Sequence, residues 1–219
     1  MIAAELITNN IPALQPSDTV EQALNLMQEF HLSELPIVIA QKSVGLLHEE
    51  DIQDVDLHST ISTYIPLAEQ VQVKADDFFL SALKMMQHRK LSVLPVLKEA
   101  GDYIGVITAV ELLQAVSKYN AVTEPGGVII LQMTPNNFSI SELGRIVESN
   151  DARIIHVNTW ANTSTGELMV AIKINKPDIQ DILATLERYE YNVVQYFGNN
   201  LTEDALKLNF DHLMNYLKI

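Results

Sequence analysis

Few residues in this chain have the types and spacing to do chemistry. His48, Glu49, Glu50 and Asp51 stand side by side, and imidazole with carboxylates is a legitimate ligand set for a metal ion. Consecutive residues fan about 100° apart around a helix, so adjacent acids seldom converge on one ion, and the run reads better as a solvated face. Thr108 and Glu111 have the T-x-x-E spacing of a helix-capping box, and Ser139 and Glu142 repeat it as S-x-x-E. The six histidines, at 31, 48, 58, 88, 156 and 212, have no partner at a catalytic spacing. There is no cysteine, which removes disulfides, thiolate metal sites and a cysteine nucleophile. G-x-S-x-G, Walker and H-E-x-x-H sequences are all missing. An enzyme needs a nucleophile with its base, an acid–base pair, a metal cluster or a phosphate loop. The reading is therefore a non-enzyme, with no catalytic residue, metal site or cofactor.

Charge narrows the partners. Residues 1–123 carry 16 acids and 7 bases and residues 124–219 carry 12 and 7, so both parts are acidic within a net charge of −14. Phosphate neutralisation by Lys and Arg dominates nucleic-acid affinity, which argues against DNA, RNA and anionic lipid as partners. No apolar run reaches a membrane span, and the start MIAAELITNN lacks the basic-then-apolar plan of a secretory signal. A cytoplasmic protein is expected.

The elements that must position these groups come from a duplication. Shifting the sequence by 59 positions lays Val20, Ala23, Leu24 and Met27 over Phe79, Ala82, Leu83 and Met86. Both sets have amphipathic-helix spacing. Leu32-Ser33-Glu34-Leu35-Pro36 then answers Leu91-Ser92-Val93-Leu94-Pro95, and eight of the twenty pairs from 19/78 to 38/97 are identical. Each Leu-Pro leads into a short apolar strand, a turn, a strand opened by Gly45 or Gly105, and a second helix. Pro12 to Leu14 and Val71 to Val73 form a short strand ahead of the first helix. A unit of about sixty residues cannot bury both faces of its sheet alone, so the two copies should pack together.

This repeat, carried by PSDTVEQALNLMQEFHLSELPIV with GLLHEED and by KADDFFLSALKMMQHRKLSVLPV with GVITAVEL, resembles the CBS domain in its tandem pair, the Bateman module. At Pro125-Gly126-Gly127 the pattern breaks, as expected at a domain boundary. Beyond it, strands and helices read βαββαβ, the split-βαβ plan. Following the repeats, this segment resembles an ACT-like domain, as in CBS proteins of the acetoin-utilization protein B type. The fold class expected is α+β: tandem CBS repeats of β-α-β-β-α units at 1–60 and 61–123, a ferredoxin-like ACT-like domain at 127–198, and a C-terminal helix at 201–219. That last helix carries Leu206, Phe210, Leu213 and Leu217 as one stripe, to be buried on the chain's own sheet or on another subunit.

The resemblance implies where a ligand would sit. Ligand-binding CBS repeats end the Gly-led strand in Thr or Ser, with Asp three residues later. Here the first repeat offers His48 and Asp51, without the hydroxyl, and the second offers Thr108 and Glu111, one methylene longer. The apolar walls for an adenine would be Pro12, Leu14, Leu35 and Pro36 in one cleft and Val71, Val73, Leu94 and Pro95 in the other. A helix start favours phosphate, and a carboxylate accepts from ribose hydroxyls. The nearest bases in sequence, Lys42 and Lys98, precede the Gly-led strands, and Glu49, Glu50 and Asp51 oppose a triphosphate. Adenosine, AMP or S-adenosylmethionine is favoured over ATP. The function implied is a non-catalytic regulator that senses such a molecule, alone or for an unknown protein partner. The alternative is a structural or adaptor protein with degenerate pockets that binds no nucleotide. In either case a homodimer is expected.

Overall fold

The computed structural model describes residues 1–198, and the expected helix at 201–219 lies outside them. The chain divides into two compact units, one covering Met1–Tyr119 and one beginning at Asn120.

In the first unit each copy of the repeat begins with an eleven-residue helix, α1 (Val20–Phe30) and α2 (Phe79–Arg89). Thr19 and Gln22 close a reciprocal capping box on α1, which fixes where it starts. Both helices end one residue later in the left-handed region, at His31 and at its counterpart Lys90, and turn the chain into the Leu-Ser-x-Leu-Pro strand. The hairpins follow. β1 (Glu34–Ile39) pairs antiparallel with β2 (Lys42–His48), and β4 (Val93–Leu97) with β5 (Tyr103–Thr108). Both hairpins shift register at the same place in the repeat, between Ile37 and Val38 and between Val96 and Leu97, beside the pairs Ile37–Gly45 and Val96–Gly105. The short leading strand is β3 (Val73–Lys74), parallel to β4; in the first repeat it shrinks to one bridge, Leu14 to Ile37.

The segments ahead of the repeats are exchanged. Thr8 pairs with Val106 of β5, and Glu69 pairs with Leu46 of β2, so the chain preceding each repeat closes the hairpin of the other. Glycine is required where they cross. At Gly45 (φ 147°) a Cβ would lie 2.8 Å from the Glu69 carbonyl oxygen, and at Gly105 (φ 142°) it would lie 2.4 Å from the Ile7 side chain. The two repeats share one apolar core, in which Leu14, Leu35, Leu46, Phe79, Leu94 and Ile107 are fully buried or nearly so.

The repeats differ at their second helix. The second repeat completes β-α-β-β-α with α3 (Ala109–Tyr119), whereas the first has only a three-residue 3-10 turn, Glu49–Asp51. The expectation of a second helix in each repeat is thus corrected. The sequence AVELLQAVSKY is rich in helix formers, while the stretch after His48 piles acids together and continues through Asp54, Asp56, Ser59 and Thr60, residues that bond locally to the backbone and favour turns.

The second unit runs β6 (Gly127–Met133), α4 (Ile140–Glu148), β7 (Ile154–Ala161), β8 (Leu168–Ile174), α5 (Gln180–Arg188) and β9 (Asn192–Phe197). The strands form one antiparallel sheet in the order β7-β8-β6-β9, the ferredoxin-like arrangement of a split βαβ. Ile129, Leu131, Ile172 and Ile174 of the sheet pack with Leu143, Val147, Ile182 and Leu186 of the helices. Ser139 caps α4 by accepting from the Glu142 N–H at 3.3 Å. The Glu142 carboxylate serves Tyr191 instead of reaching back; with burial as the larger cause, it pushes that phenol up to about 12.

Candidate ligand cleft of the repeat pair

Glu34 opens β1 at the seam between the repeats and is 1% exposed. Its Oε1 accepts from the Ser92 N–H at 2.6 Å, the Ser92 hydroxyl at 3.0 Å and the Val93 N–H at 2.9 Å. Reciprocally, the Ser33 N–H donates to the Ser92 hydroxyl at 3.2 Å. The other oxygen of Glu34 lies 4.0 Å from Nδ1 of His48, whose Nε2 is hydrogen-bonded to Glu69 at 3.1 Å. Glu69 in turn accepts from Arg89 at 3.1 Å. A chain of polar side chains therefore runs from the buried seam through His48 to the end of α2. It borders a cavity of about 690 Å³ lined by Ser33, Glu34, His48, Glu49, Glu50, Gln53, Glu69, Arg89 and Lys90. The volume falls within the range of small-molecule sites.

His48 is placed on this cavity, while Asp51 is not among the residues that line it. The 3-10 turn also leaves the site without the helix start that would favour a phosphate. Leu14 and Leu35 are fully buried, and Leu94, Val71 and Val73 are within 4% of it. All five belong to the shared core, Pro36 and Pro95 are buried, and Pro12 is half-buried. The apolar walls anticipated for an adenine thus act first as core.

Thr108 and Glu111 come together at the start of α3, and they engage each other. The Thr108 N–H donates to Glu111 at 3.1 Å, its hydroxyl donates to the same oxygen, and its Oγ accepts from the Val110 N–H at 3.2 Å. This is a capping arrangement. A ribose would have to compete for a carboxylate that already holds two donors.

Four contributors have no counterpart in the motif reading: Glu34, Glu69, Arg89 and Lys90. Glu34 left a trace, as the charged member of a pair whose copy, Val93, is apolar and buried. The two bases line the same cavity as His48 only through tertiary structure, and Arg89 is linked to it through Glu69. Lys42 instead bonds Asp102 at 2.7 Å, joining the two hairpin turns; that pairing holds the Asp102 carboxyl below its usual value. Among the described residues no group of three or more His, Asp or Glu could hold a metal ion. None of their helices is long and apolar enough to cross a membrane.

In the second unit, the loop Thr134-Pro135-Asn136-Asn137 includes a 3-10 turn. It borders a polar cavity of about 460 Å³ with Gln132, Glu142, Tyr189 and Tyr191. Trp160 stands on β7, 42% exposed.

Two crossed hairpin repeats around one core, with a cleft at the seam, define a CBS pair. The family model for the CBS domain matches residues 3–58 and 65–118, half of the chain, and the chain belongs to that family. Among solved structures it is similar to a CBS domain pair/ACT domain protein from Thermotoga maritima, with a TM-score of 0.50 and 24% identity over 54% of this chain and 98% of that one. Among curated proteins it is 24% identical over 190 residues to an inosine-5'-monophosphate dehydrogenase of Korarchaeum cryptofilum, covering 86% of this chain and 40% of the relative. It is also 25% identical over 118 residues to an uncharacterized 17.7 kDa protein of Acidianus ambivalens, covering 51% of this chain and 71% of that one. The chain spans only 23% to 40% of the length of the first dehydrogenases it matches.

Proposed function

We propose that this chain is a non-catalytic regulatory protein whose CBS pair binds a small adenosine-containing molecule in the cleft beside His48. The observation that carries the reading is the cavity itself. It opens at the seam where the two repeats are stitched, so occupancy and the arrangement of the repeats share the same side chains. Its lining holds Glu34, Glu49, Glu50 and Glu69 against Arg89 and Lys90. That balance suits a neutral or cationic ligand, such as adenosine or S-adenosylmethionine, or a monophosphate placed on the two bases. A triphosphate would bring its charge against four carboxylates.

Thermal unfolding with adenosine, AMP, S-adenosylmethionine and ATP tests this. At a hundred times its Kd a native-state ligand adds about 2.7 kcal/mol, a rise of about 5–10 °C for a chain of this size. A larger shift with ATP than with AMP refutes the charge argument.

A specific observation favours the second reading, an adaptor that binds no nucleotide. Thr108 closes on Glu111, and Glu69 already ties His48 to Arg89. No shift with any of the four ligands decides for it.

Either form is expected to be a homodimer. The outward side of α3 exposes Val110 at 60% and Leu113 at 70%, with the uncharged Gln114 and Ser117 at helical spacing from them, whereas the outward side of α1 carries Glu21 and Glu29. A self-contact between acidic chains is cheapest on the uncharged side. Sedimentation at micromolar concentration should show a dimer that Leu113→Lys dissociates. A single 24.5 kDa species for the parent rejects it.

A further inference from the structure

The carboxylates that line the seam cavity are not equally engaged. Glu49 and Glu50 are exposed and meet solvent. Glu69 uses both oxygens, Oε2 with the His48 Nε2 at 3.1 Å and Oε1 with Arg89 at 3.1 Å. Glu34 gathers the Ser92 N–H, the Ser92 hydroxyl and the Val93 N–H on Oε1 alone. Its Oε2 accepts no hydrogen bond from the described residues, and its ionic contact with Nδ1 of His48 is 4.0 Å long, beyond hydrogen-bond reach. Glu34 is 1% exposed and yet lines the cavity, so a free acceptor is held at the cavity's buried end. A carboxylate only accepts, so the His48 Nε2 donates to Glu69, and in the neutral imidazole Nδ1 is then an acceptor as well. Two acceptors face each other with no hydrogen between them. A buried acceptor left without a donor is costly, and a donor must come from water or from a ligand.

We infer that Glu34 is the specificity-determining residue of the cleft: its Oε2, beside Nδ1 of His48, takes a primary amino group, so the cleft prefers an amino-bearing purine to the same purine without that group. This rests on the reading that an adenosine-containing molecule occupies the cleft. An amino group brings two hydrogens to two acceptors. A ring with only a C–H at that position displaces their water without replacing its hydrogen bonds, and a site built to bond an N–H rejects the analogue that lacks it. The basic side chain at the cavity does not quench the acceptor, because Arg89 pairs with Glu69.

Calorimetric titration of the full chain with adenosine and with purine riboside, which is adenosine without its amino group, tests this. The parent should bind adenosine at least about tenfold more tightly, the scale of one hydrogen bond to a charged acceptor. N6,N6-dimethyladenosine, whose nitrogen carries no hydrogen, should bind the parent no better than purine riboside. Glu34→Gln keeps the oxygen that holds the Ser92 and Val93 donors and puts an NH2 in place of Oε2. It should bind purine riboside as the parent does, and its preference for adenosine should fall to within about threefold. A purely structural role for Glu34 would weaken both nucleosides alike and leave their ratio intact. A smaller ratio in the parent, dimethyladenosine binding as well as adenosine, a ratio unchanged by Glu34→Gln, or loss of both nucleosides in that variant overturns the inference and leaves the cleft a nucleoside site. Binding of neither nucleoside to the parent overturns the inference and the nucleoside reading together.

Discussion

Replacing Glu34 by Ala should unfold the seam between the repeats more readily than any other single polar change in the first unit. The carboxylate is 1% exposed, and one oxygen holds the Ser92 N–H, the Ser92 hydroxyl and the Val93 N–H at 2.6–3.0 Å. Removing it orphans two backbone donors at the start of β4. Each orphaned buried donor costs about 1–3 kcal/mol, so the total is about 3–5 kcal/mol, in line with breaking a buried charged network. Glu34→Gln keeps an oxygen acceptor and loses only the assistance of charge, about 1–2 kcal/mol. Glu34→Val, which gives the first repeat the residue of the second, should cost about as much as Ala, because the donors it strands are the same. With a urea slope of about 2 kcal/mol/M, the midpoint followed by far-UV circular dichroism should fall by about 1.5–2.5 M for Ala and Val and by under 1 M for Gln. A midpoint for Glu34→Ala within about 0.3 M of the parent refutes the argument. Equal losses for Gln and Ala refute it differently, since the charge facing His48 would then matter and the hydrogen bonds would not.

Gly45→Ala and Gly105→Ala should each destabilise the first unit, because the added methyl meets the backbone oxygen of Glu69 at 2.8 Å in the first case and the Cγ2 methyl on the branched, stiff Cβ of Ile7 at 2.4 Å in the second. Urea midpoints of both variants below the parent's check this. Thr108→Ala removes the cap of α3 and should cost about 1 kcal/mol, with Thr108→Ser restoring most of it. Tyr103 and Tyr191 are pushed up from 10.0 to about 12, chiefly by burial. The unfolded chain releases these protons at the ordinary phenol value, so this part of stability is complete below about pH 10 and declines as pH climbs towards 12. Urea titrations from pH 9 to 11.5 should show the decline, with a shallower slope for Tyr103→Phe.

Much of the architecture was legible because duplication leaves two readings of one pattern. The apolar spacing at Val20, Ala23 and Met27, repeated at Phe79, Ala82 and Met86, names helices whose same positions are buried. Gly45 and Gly105 mark the crossings. The βαββαβ order followed from periodicity at Gly127–Met133, Leu143 to Val147 and Ile182 to Leu186. The second helix of the first repeat does not form, because the local preference of Asp54, Asp56, Ser59 and Thr60 for turns outweighs the symmetry of the two copies.

The site was less legible, because a motif records only neighbours in sequence. Composition, periodicity and the internal repeat determined the duplicated helix-and-hairpin unit, the βαββαβ order and the acidic balance, all properties that sum over many residues along the chain. The motifs of the repeat carried its resemblance to the CBS domain. Only the tertiary structure decided that His48 stands between Glu34 and Glu69, that Arg89 and Lys90 face it, and that Leu14 and Leu35 are spent in the core. Those relations arise where each leading segment crosses to the other repeat, and the distances that make a cleft are set by packing across some sixty residues of intervening chain.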